Sequence, residues 1–332
     1  MVLLVIGDLH FQERDIELYT TFIDRLETNI LQKKEYEAVI LLGDIQHKFK
    51  IVDRAAQTLV CLLFKMITKY TNLYVLVGNH DYDNATQFLT ENHTLMPFKT
   101  WPKVKIIDKP TKVILLEKNM LLCPYVPKGR FMEAVETHLK KEKPSLLFCH
   151  QEFLGSLMGP YPSLDGDIWP EMYPMVISGH AHGRHQVGKN IQYVGMPYDD
   201  SYDETHKRYI LELDNSLKFI WLNSLKMPRK MQTTLTIEEA MEWQPKKNTS
   251  YRLKIVCSGE EYKQFLKTRK KVLQPFVAKF IHVSTDQKKL QEALQKRREE
   301  AGTCDKYETI FHNLVQKENK NLVSLFKKIL EN

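Results

Sequence analysis

The chain has 332 residues, 43% of them hydrophobic and 27% charged, with 48 Lys and Arg against 41 Asp and Glu, which supports one large core and a second small one and excludes a low-complexity or disordered class. The longest early apolar run, Val2 to Ile6, stops at Gly7-Asp8 without the basic flank and cleavage site of a signal peptide, so neither secretion nor membrane insertion is expected. Cys61, Cys123, Cys149, Cys257 and Cys304 are odd in number and form no CxxC pair, which excludes a disulfide framework and a thiolate zinc site and fits a reducing, intracellular compartment.

Short apolar strands alternate with amphipathic helices through residue 225, the α/β pattern. Strands are expected at Val2–Ile6, Ala38–Leu42, Leu73–Val77, Leu121–Cys123, Ser145–Cys149 and Met175–Ile177, followed by a hairpin of Tyr209–Leu213 and Leu217–Trp221 turning at Asp214-Asn215. A helix over Ile16–Leu31 puts Ile16, Tyr19, Ile23, Leu26 and Ile30 on one face, and one over Val52–Tyr70 does the same with Ala56, Leu59, Leu63, Met66 and Ile67. The segment Lys226-Met227-Pro228-Arg229-Lys230 has no apolar periodicity and marks a domain boundary. Net charge changes there from −3 over residues 1–225 to +10 over residues 226–332, which predicts a polyanion or an acidic partner for the basic part, or a solvated lysine-rich surface.

Beyond the boundary a strand (Tyr251–Val256), a helix (Glu260–Leu273) and a strand (Lys279–Val283) predict a small α/β cap over residues 226–285. Residues 286–332 carry two helical stripes, through Tyr307, Ile310, Phe311, Leu314 and Val315 and then Leu322, Leu325, Phe326, Ile329 and Leu330. These read as a partner-binding tail or as helices folding back on the body.

Five expected strands end at once in residues that bind metals. Asp8-Leu9-His10, Gly43-Asp44-Ile45-Gln46-His47, Gly78-Asn79-His80-Asp81, His150, and Gly179-His180-Ala181-His182 each follow an apolar run. In α/β folds ligands gather outside the carboxyl ends of strands, so five termini distant in sequence can converge. Aspartates, an asparagine and imidazoles without thiolate suit manganese, iron or zinc. A pair of such ions about 3.5–4 Å apart, bridged by one aspartate, clamps the oxygens of an in-line phosphoryl displacement.

In this order and spacing the motifs resemble the calcineurin-like metallophosphoesterases over residues 1–225. The resemblance implies an α/β fold: a metallophosphoesterase β-sandwich flanked by helices, with the small α/β capping domain and C-terminal amphipathic helices added to it. It implies two divalent ions, one held by Asp8, His10, Asp44 and His182 and the other by Asp44, Asn79, His150 and His180, with His80 at the leaving oxygen and Asp81 setting its tautomer. His47, three residues after Asp44, stands where Ser/Thr phosphatases carry an aspartate followed by arginine and glycine, and GNHD replaces their GNHE.

Together with Tyr193-Val194-Gly195-Met196-Pro197 and Glu204, these motifs look like the nuclease subunit of the Mre11/SbcD family, in a phage or viral form given the compact length. Phe11-Gln12 and Ala181 depart from that family's usual Leu-Gly and acidic residue. The resemblance implies a manganese-dependent nuclease, a 3′–5′ exonuclease on duplex DNA and an endonuclease on single strands, with His47 placing the DNA phosphate. Its implied partners are DNA, an SMC-like ATPase of the Rad50/SbcC type docked on the terminal helices, and a second copy joined through the 52–70 helix. Arg184 and His185 beside the metal loop, and Lys267, Arg269, Lys270 and Lys271 on the cap helix, are candidate phosphate contacts or solvated residues. Two other readings stay open: a nucleotide or cyclic-nucleotide phosphodiesterase or phosphatase, and a DNA-tethering scaffold subunit.

Overall fold

The structure, a computed structural model, describes residues 1–257 except 142, 160, 203–206 and 224, then 261, 267 and the backbone of 278–285. In chain order the elements are β1 (Val2–Ile6), α1 (Ile16–Leu26), β2 (Ala38–Leu41), α2 (Arg54–Tyr70), β3 (Asn72–Leu76), β4 (Val104–Ile107), β5 (Thr111–Leu115) and β6 (Lys118–Cys123). There follow α3 (Phe131–Lys141), β7 (Leu146–Cys149), β8 (Leu157–Met158), β9 (Tyr161–Pro162), β10 (Val176–Ser178), β11 (His185–Val187) and β12 (Ile191–Tyr193). The last are β13 (Ile210–Asp214), β14 (Phe219–Leu222), β15 (Arg229–Leu235), α4 (Ile237–Glu242), β16 (Thr249–Cys257) and β17 (Ala278–Thr285).

Two six-stranded sheets share one plan, a parallel centre with antiparallel edges. In the first, β1 to β4 run parallel and β13 and β14 extend the β1 side, in the order β14-β13-β1-β2-β3-β4. In the second, β12, β10, β7 and β6 are parallel between antiparallel β11 and β5. Alternation along each strand decides which core a side chain joins. Leu3, Val5, Ile40 and Leu76 meet Met120, Leu122, Phe148 and Ile177 between the sheets. Leu4, Ile6, Val39, Leu41 and Val75 turn outward onto α1 and α2, while Leu121, Leu147, Cys149 and Val176 pack with Phe131 and Val135 of α3. These strands are buried on both faces, and each fully buried aliphatic side chain stabilises by about 1.5–3 kcal/mol.

The second helix begins at Arg54, not Val52, because the Asp53 carboxylate caps it, accepting from Ala55 N at 2.8 Å and Ala56 N at 3.1 Å. The first stops being α-helical at Leu26 and continues as a π-turn over Glu27–Leu31, whose wider winding buries Ile30 and Leu31 together while Ile16 stays exposed. The basic segment after residue 225 is irregular over residues 226–228 and then enters a strand. Lys230 is buried, its Nζ 3.0 Å from Asp15 Oδ2 and 2.8 Å from the Asp200 carbonyl, and Arg229 opens a strand. β15, β16 and β17 form a three-stranded sheet in that order.

The chain divides into two compact units, one of Met1–Met231 with Lys246–Tyr251 and one of Gln232–Pro245 with Arg252–Asn332. The two terminal stripes, Glu204 and most of the cap helix lie outside the described residues. Among the described residues no helix is long and apolar enough to cross a membrane.

Candidate metal centre

All the expected ligands leave the carboxyl ends of parallel strands: Asp8 and His10 after β1, Asp44 after β2, Asn79 after β3, His150 after β7, and His180 and His182 after β10. Backbone bonds fasten these loops to one another. Leu9 N and His10 N donate to the Asp44 carbonyl at 3.1 and 2.9 Å, and Phe11 N donates to the Ile45 carbonyl at 2.9 Å. His180 N donates to Asp8 Oδ1 at 3.0 Å and His80 N to Asp44 Oδ1 at 2.8 Å, so the two aspartates also tie the loops together. Gly78 is required here, since a Cβ would meet Asp44 Oδ1 at 2.2 Å; Gly43 has φ +103° and a Cβ there would meet His150 Nδ1 at 2.7 Å. His10, Asp44 and His180 themselves hold left-handed backbone, with φ of 47°, 50° and 79°.

One half of the centre is built from Asp44, Asn79, His150 and His180. Asn79 Oδ1 lies 2.9 Å from both His150 Nε2 and His180 Nδ1, those two nitrogens are 3.1 Å apart, and Asp44 Oδ2 is 3.3 Å from His150 Nε2. The Leu42 carbonyl, 2.8 Å from His150 Nδ1, takes the proton on that side and turns Nε2 inward. Glu152 Oε2, 3.5 Å from His180 Nε2, does the equivalent for His180. The hydrogen bond from His180, followed by those from Ser163 and Lys128, pulls the Glu152 carboxyl down to about 2. Burial penalises a charged His150, yet Asp44 and Asp8 outweigh it and raise its pKa well above the usual value. Those two buried carboxylates demand a positive charge between them.

The other half gathers His10, His47 and His80, with the His182 Nε2 3.2 Å from His10 Nε2. The His10 ring centroid lies 5.3, 4.8 and 4.9 Å from those of His47, His80 and His182. Burial pushes His10 down to about 3, keeping it a neutral electron-pair donor. Asp44 Oδ2, 3.5 Å from His10 Nε2, faces both halves. Burial opposes its ionisation, but the charge and hydrogen bond of His150, with the charge of His10, hold its carboxyl below the usual range.

The donor set fits divalent ions. Nitrogen and oxygen lone pairs about 3 Å apart are what ligands at about 2.1 Å from one ion present to each other. Asp8 Oδ2 is buried without a hydrogen-bond partner, Asp44, His150 and His180 close around one point, and Asp44 Oδ2 and His182 Nε2 flank His10 Nε2 at 3.5 and 3.2 Å beside another.

Two expectations change with the geometry. Asp81 does not set the His80 tautomer: its buried carboxylate accepts from Gly78 N at 2.9 Å, Ile45 N at 3.1 Å and Gln46 N at 3.3 Å, and burial with the neighbouring Asp44 pushes it up to about 7. The His47 carbonyl, 2.6 Å from His80 Nδ1, takes that role instead. His185 is not a phosphate contact, because both ring nitrogens are spent: Nδ1 donates to the Gly183 carbonyl at 2.8 Å, Nε2 accepts from Leu157 N at 2.9 Å, and the ring stacks on Tyr193 at 4.6 Å. Arg184 is exposed, with its guanidinium 4.4 and 4.7 Å from the rings of Tyr209 and Trp221. Lys267 is exposed, and Arg269, Lys270 and Lys271 lie outside the described residues.

Sequence reasoning missed Glu152, Phe49 and Tyr125. Phe49 packs on the His80 ring at 4.2 Å and Tyr125 stacks on His180 at 6.1 Å. A carboxylate two residues past a ligand histidine was the available signal for Glu152; an aromatic between two lysines was the one for Phe49.

Residues 1–184 match the calcineurin-like phosphoesterase family. The candidate phosphoesterase 078R of Invertebrate iridescent virus 3 is 34% identical over 277 residues, covering 80% of this chain and 79% of its own. The candidate phosphoesterase 244L of Invertebrate iridescent virus 6 is 31% identical over 286 residues, covering 80% and 98%. Among solved structures, a Thermotoga maritima protein is 17% identical, covering 67% of this chain and 98% of its own with a TM-score of 0.34.

Proposed function

The chain belongs to the calcineurin-like phosphoesterase family, and on that premise we propose that it is a dinuclear DNA nuclease of the Mre11/SbcD type. It acts as a 3′–5′ exonuclease on duplex ends and an endonuclease on single strands, uses manganese, and serves DNA end processing, recombination and repair. One observation carries the reading. The histidine three residues beyond the shared aspartate stands at the reacting face, its ring stacked with that of His80 at 5.6 Å and its carbonyl holding His80 Nδ1.

Divalent ions bound there supply Lewis acidity to a phosphoryl group and a nucleophile at neutral pH. The protein's own residues do the rest. His80 Nδ1–H is fixed on the His47 carbonyl, so Nε2 faces the departing oxygen and, in the imidazolium form, gives it the second ring proton, leaving the neutral ring on the carbonyl. Phe49 and His47 flank that ring and hold its plane. His47, half-buried with its ring stacked beside His80, is the residue assigned to a non-bridging phosphate oxygen. The apolar stripes of residues 303–332 are the proposed docking segment for an SMC-like ATPase of the Rad50/SbcC type.

The test is release of nucleotides from end-labelled duplex DNA by the purified full chain in manganese, beside a chelator control and Asp44→Ala. Chelator-sensitive release that Asp44→Ala abolishes is expected. Intact DNA beside rapid hydrolysis of bis(p-nitrophenyl) phosphate overturns the DNA substrate, and leaves the smaller phosphodiester or nucleotide reading.

A further inference from the structure

At the β14 end of the first sheet a recess of about 270 Å³ is lined by Lys207, Arg208, Tyr209, Lys226, Arg229 and Asn248, among others. Four of these six side chains are cationic, and the sequence reading had taken Lys226 and Arg229 for boundary residues. Strand register puts the recess at the reacting edge. Val5 pairs with Leu211 and Ile210 with Leu222, so the chain entering β13 and the chain leaving β14 come off the same sheet edge from which β1 delivers Asp8 and His10.

Two contacts link the recess to the metal loop. Arg208 Nη1 donates to the His182 carbonyl at 3.1 Å, and Arg184, two residues past His182, lies over Tyr209. The floor is organised in advance of any ligand. Asp199, fully buried, accepts from the Nε of Arg208 and of Arg229, each at 2.6 Å, and from Lys230 N at 2.9 Å. A guanidinium gripped at Nε keeps its fork in a fixed plane, so little freedom is lost when the terminal nitrogens meet an anion. The Arg229 terminal nitrogens have no acceptor among the described residues, and Lys207 and Lys226 are exposed with no acidic partner there. Among the described residues, Lys207 and Lys226 therefore add uncompensated positive charge beside the Asp199–arginine cluster.

The geometry points to this recess as a phosphate-binding subsite that takes a nucleotide phosphate other than the one undergoing hydrolysis. It is small beside the clefts of about 300–1,000 Å³ that enclose drug-sized ligands, and suits a phosphate with part of its sugar. Two sources share this chemistry: a backbone phosphate of bound DNA, which rests on the nuclease reading, and a free nucleotide, which does not.

The experiment compares the full chain with its Lys207→Gln/Lys226→Gln variant in three measurements. Binding of a labelled duplex oligonucleotide is followed across a salt series in chelator, binding of dAMP is followed by calorimetry, and bis(p-nitrophenyl) phosphate hydrolysis is followed in manganese. The expected result is duplex affinity lowered about tenfold, with a salt dependence shallower by about two in log–log slope, while small-ester hydrolysis stays within twofold. Duplex that binds wild type and variant equally overturns the backbone subsite and leaves the nuclease reading standing. A wild type that ignores duplex but binds dAMP through the two lysines supports the subsite with a free nucleotide, and removes the nuclease reading. Loss of neither ligand in the variant overturns the subsite altogether.

Discussion

The two halves of the metal centre hold their ligands by different means. His150 and His180 are aimed from behind, by the Leu42 carbonyl at 2.8 Å and the Glu152 carboxylate at 3.5 Å. His10 and His47 have buried Nδ1 atoms without partners, and are positioned by neighbouring rings and by backbone conformation. A histidine fixed by a hydrogen bond on its far nitrogen is a stronger and better-oriented ligand. The first half is therefore a preorganised candidate ion site, while the second is the face to which the proposed mechanism assigns the movement of protons and phosphate oxygens. On the proposed two-ion reading, unequal affinities follow from that contrast.

The largest expected effect removes what the halves share. Asp44→Ala lowers bis(p-nitrophenyl) phosphate hydrolysis by about 10³-fold or more with the fold retained by circular dichroism. A rate within tenfold of wild type breaks the idea that Asp44 serves both halves. Next, on the proposed reading of two manganese ions, Glu152→Gln weakens one of them by about 10–100-fold and leaves the other within twofold, read by calorimetric titration. Equal weakening of both ions denies the asymmetry.

Phe49→Ala touches only the second half, and lowers kcat by about tenfold, a part of the 10²–10⁴ that general acid–base catalysis supplies. KM and metal stoichiometry stay unchanged, and Phe49→Tyr restores the rate; a change confined to KM makes Phe49 a substrate contact instead. The smallest effect is on acid stability. Glu152 sits at about 2 in the folded chain against an ordinary 4.5, so its stabilisation is complete above pH 4.5 and is lost as pH falls toward 2. Urea midpoints at pH 7 and pH 3.5 should fall less for Glu152→Gln than for wild type, and parallel losses remove Glu152 as a contributor.

What was legible in the sequence was what lies next to itself along the chain. An apolar run followed by Asp8 or Asn79 declares both a strand and the ligand at its end, because the strand's exit fixes where the next few residues stand. The atoms that aim those ligands were not legible. The Leu42 carbonyl is backbone, which no residue type advertises, and Glu152 reaches His180 only because Ser163 and Lys128 fix it across a loop. Asp81 misled for the same reason: adjacency to His80 implied contact, while the chain turns its carboxylate onto three amides. Lys230 read as linker because its partner Asp15 is 215 residues away.

Three of the ligand-bearing residues, His10, Asp44 and His180, occupy backbone that glycine would adopt freely. Such conformations cost on the order of 1–3 kcal/mol each, against a total stability of about 5–15 kcal/mol for a domain. A glycine at His180, the half-buried one of the three, would relax the backbone while deleting a ligand, whereas at Asp44 and His10 the buried contacts of the side chain offset that relief. Backbone ease and ligand supply are thus opposed at His180, and a screen that selects for heat resistance alone would erode the centre there first.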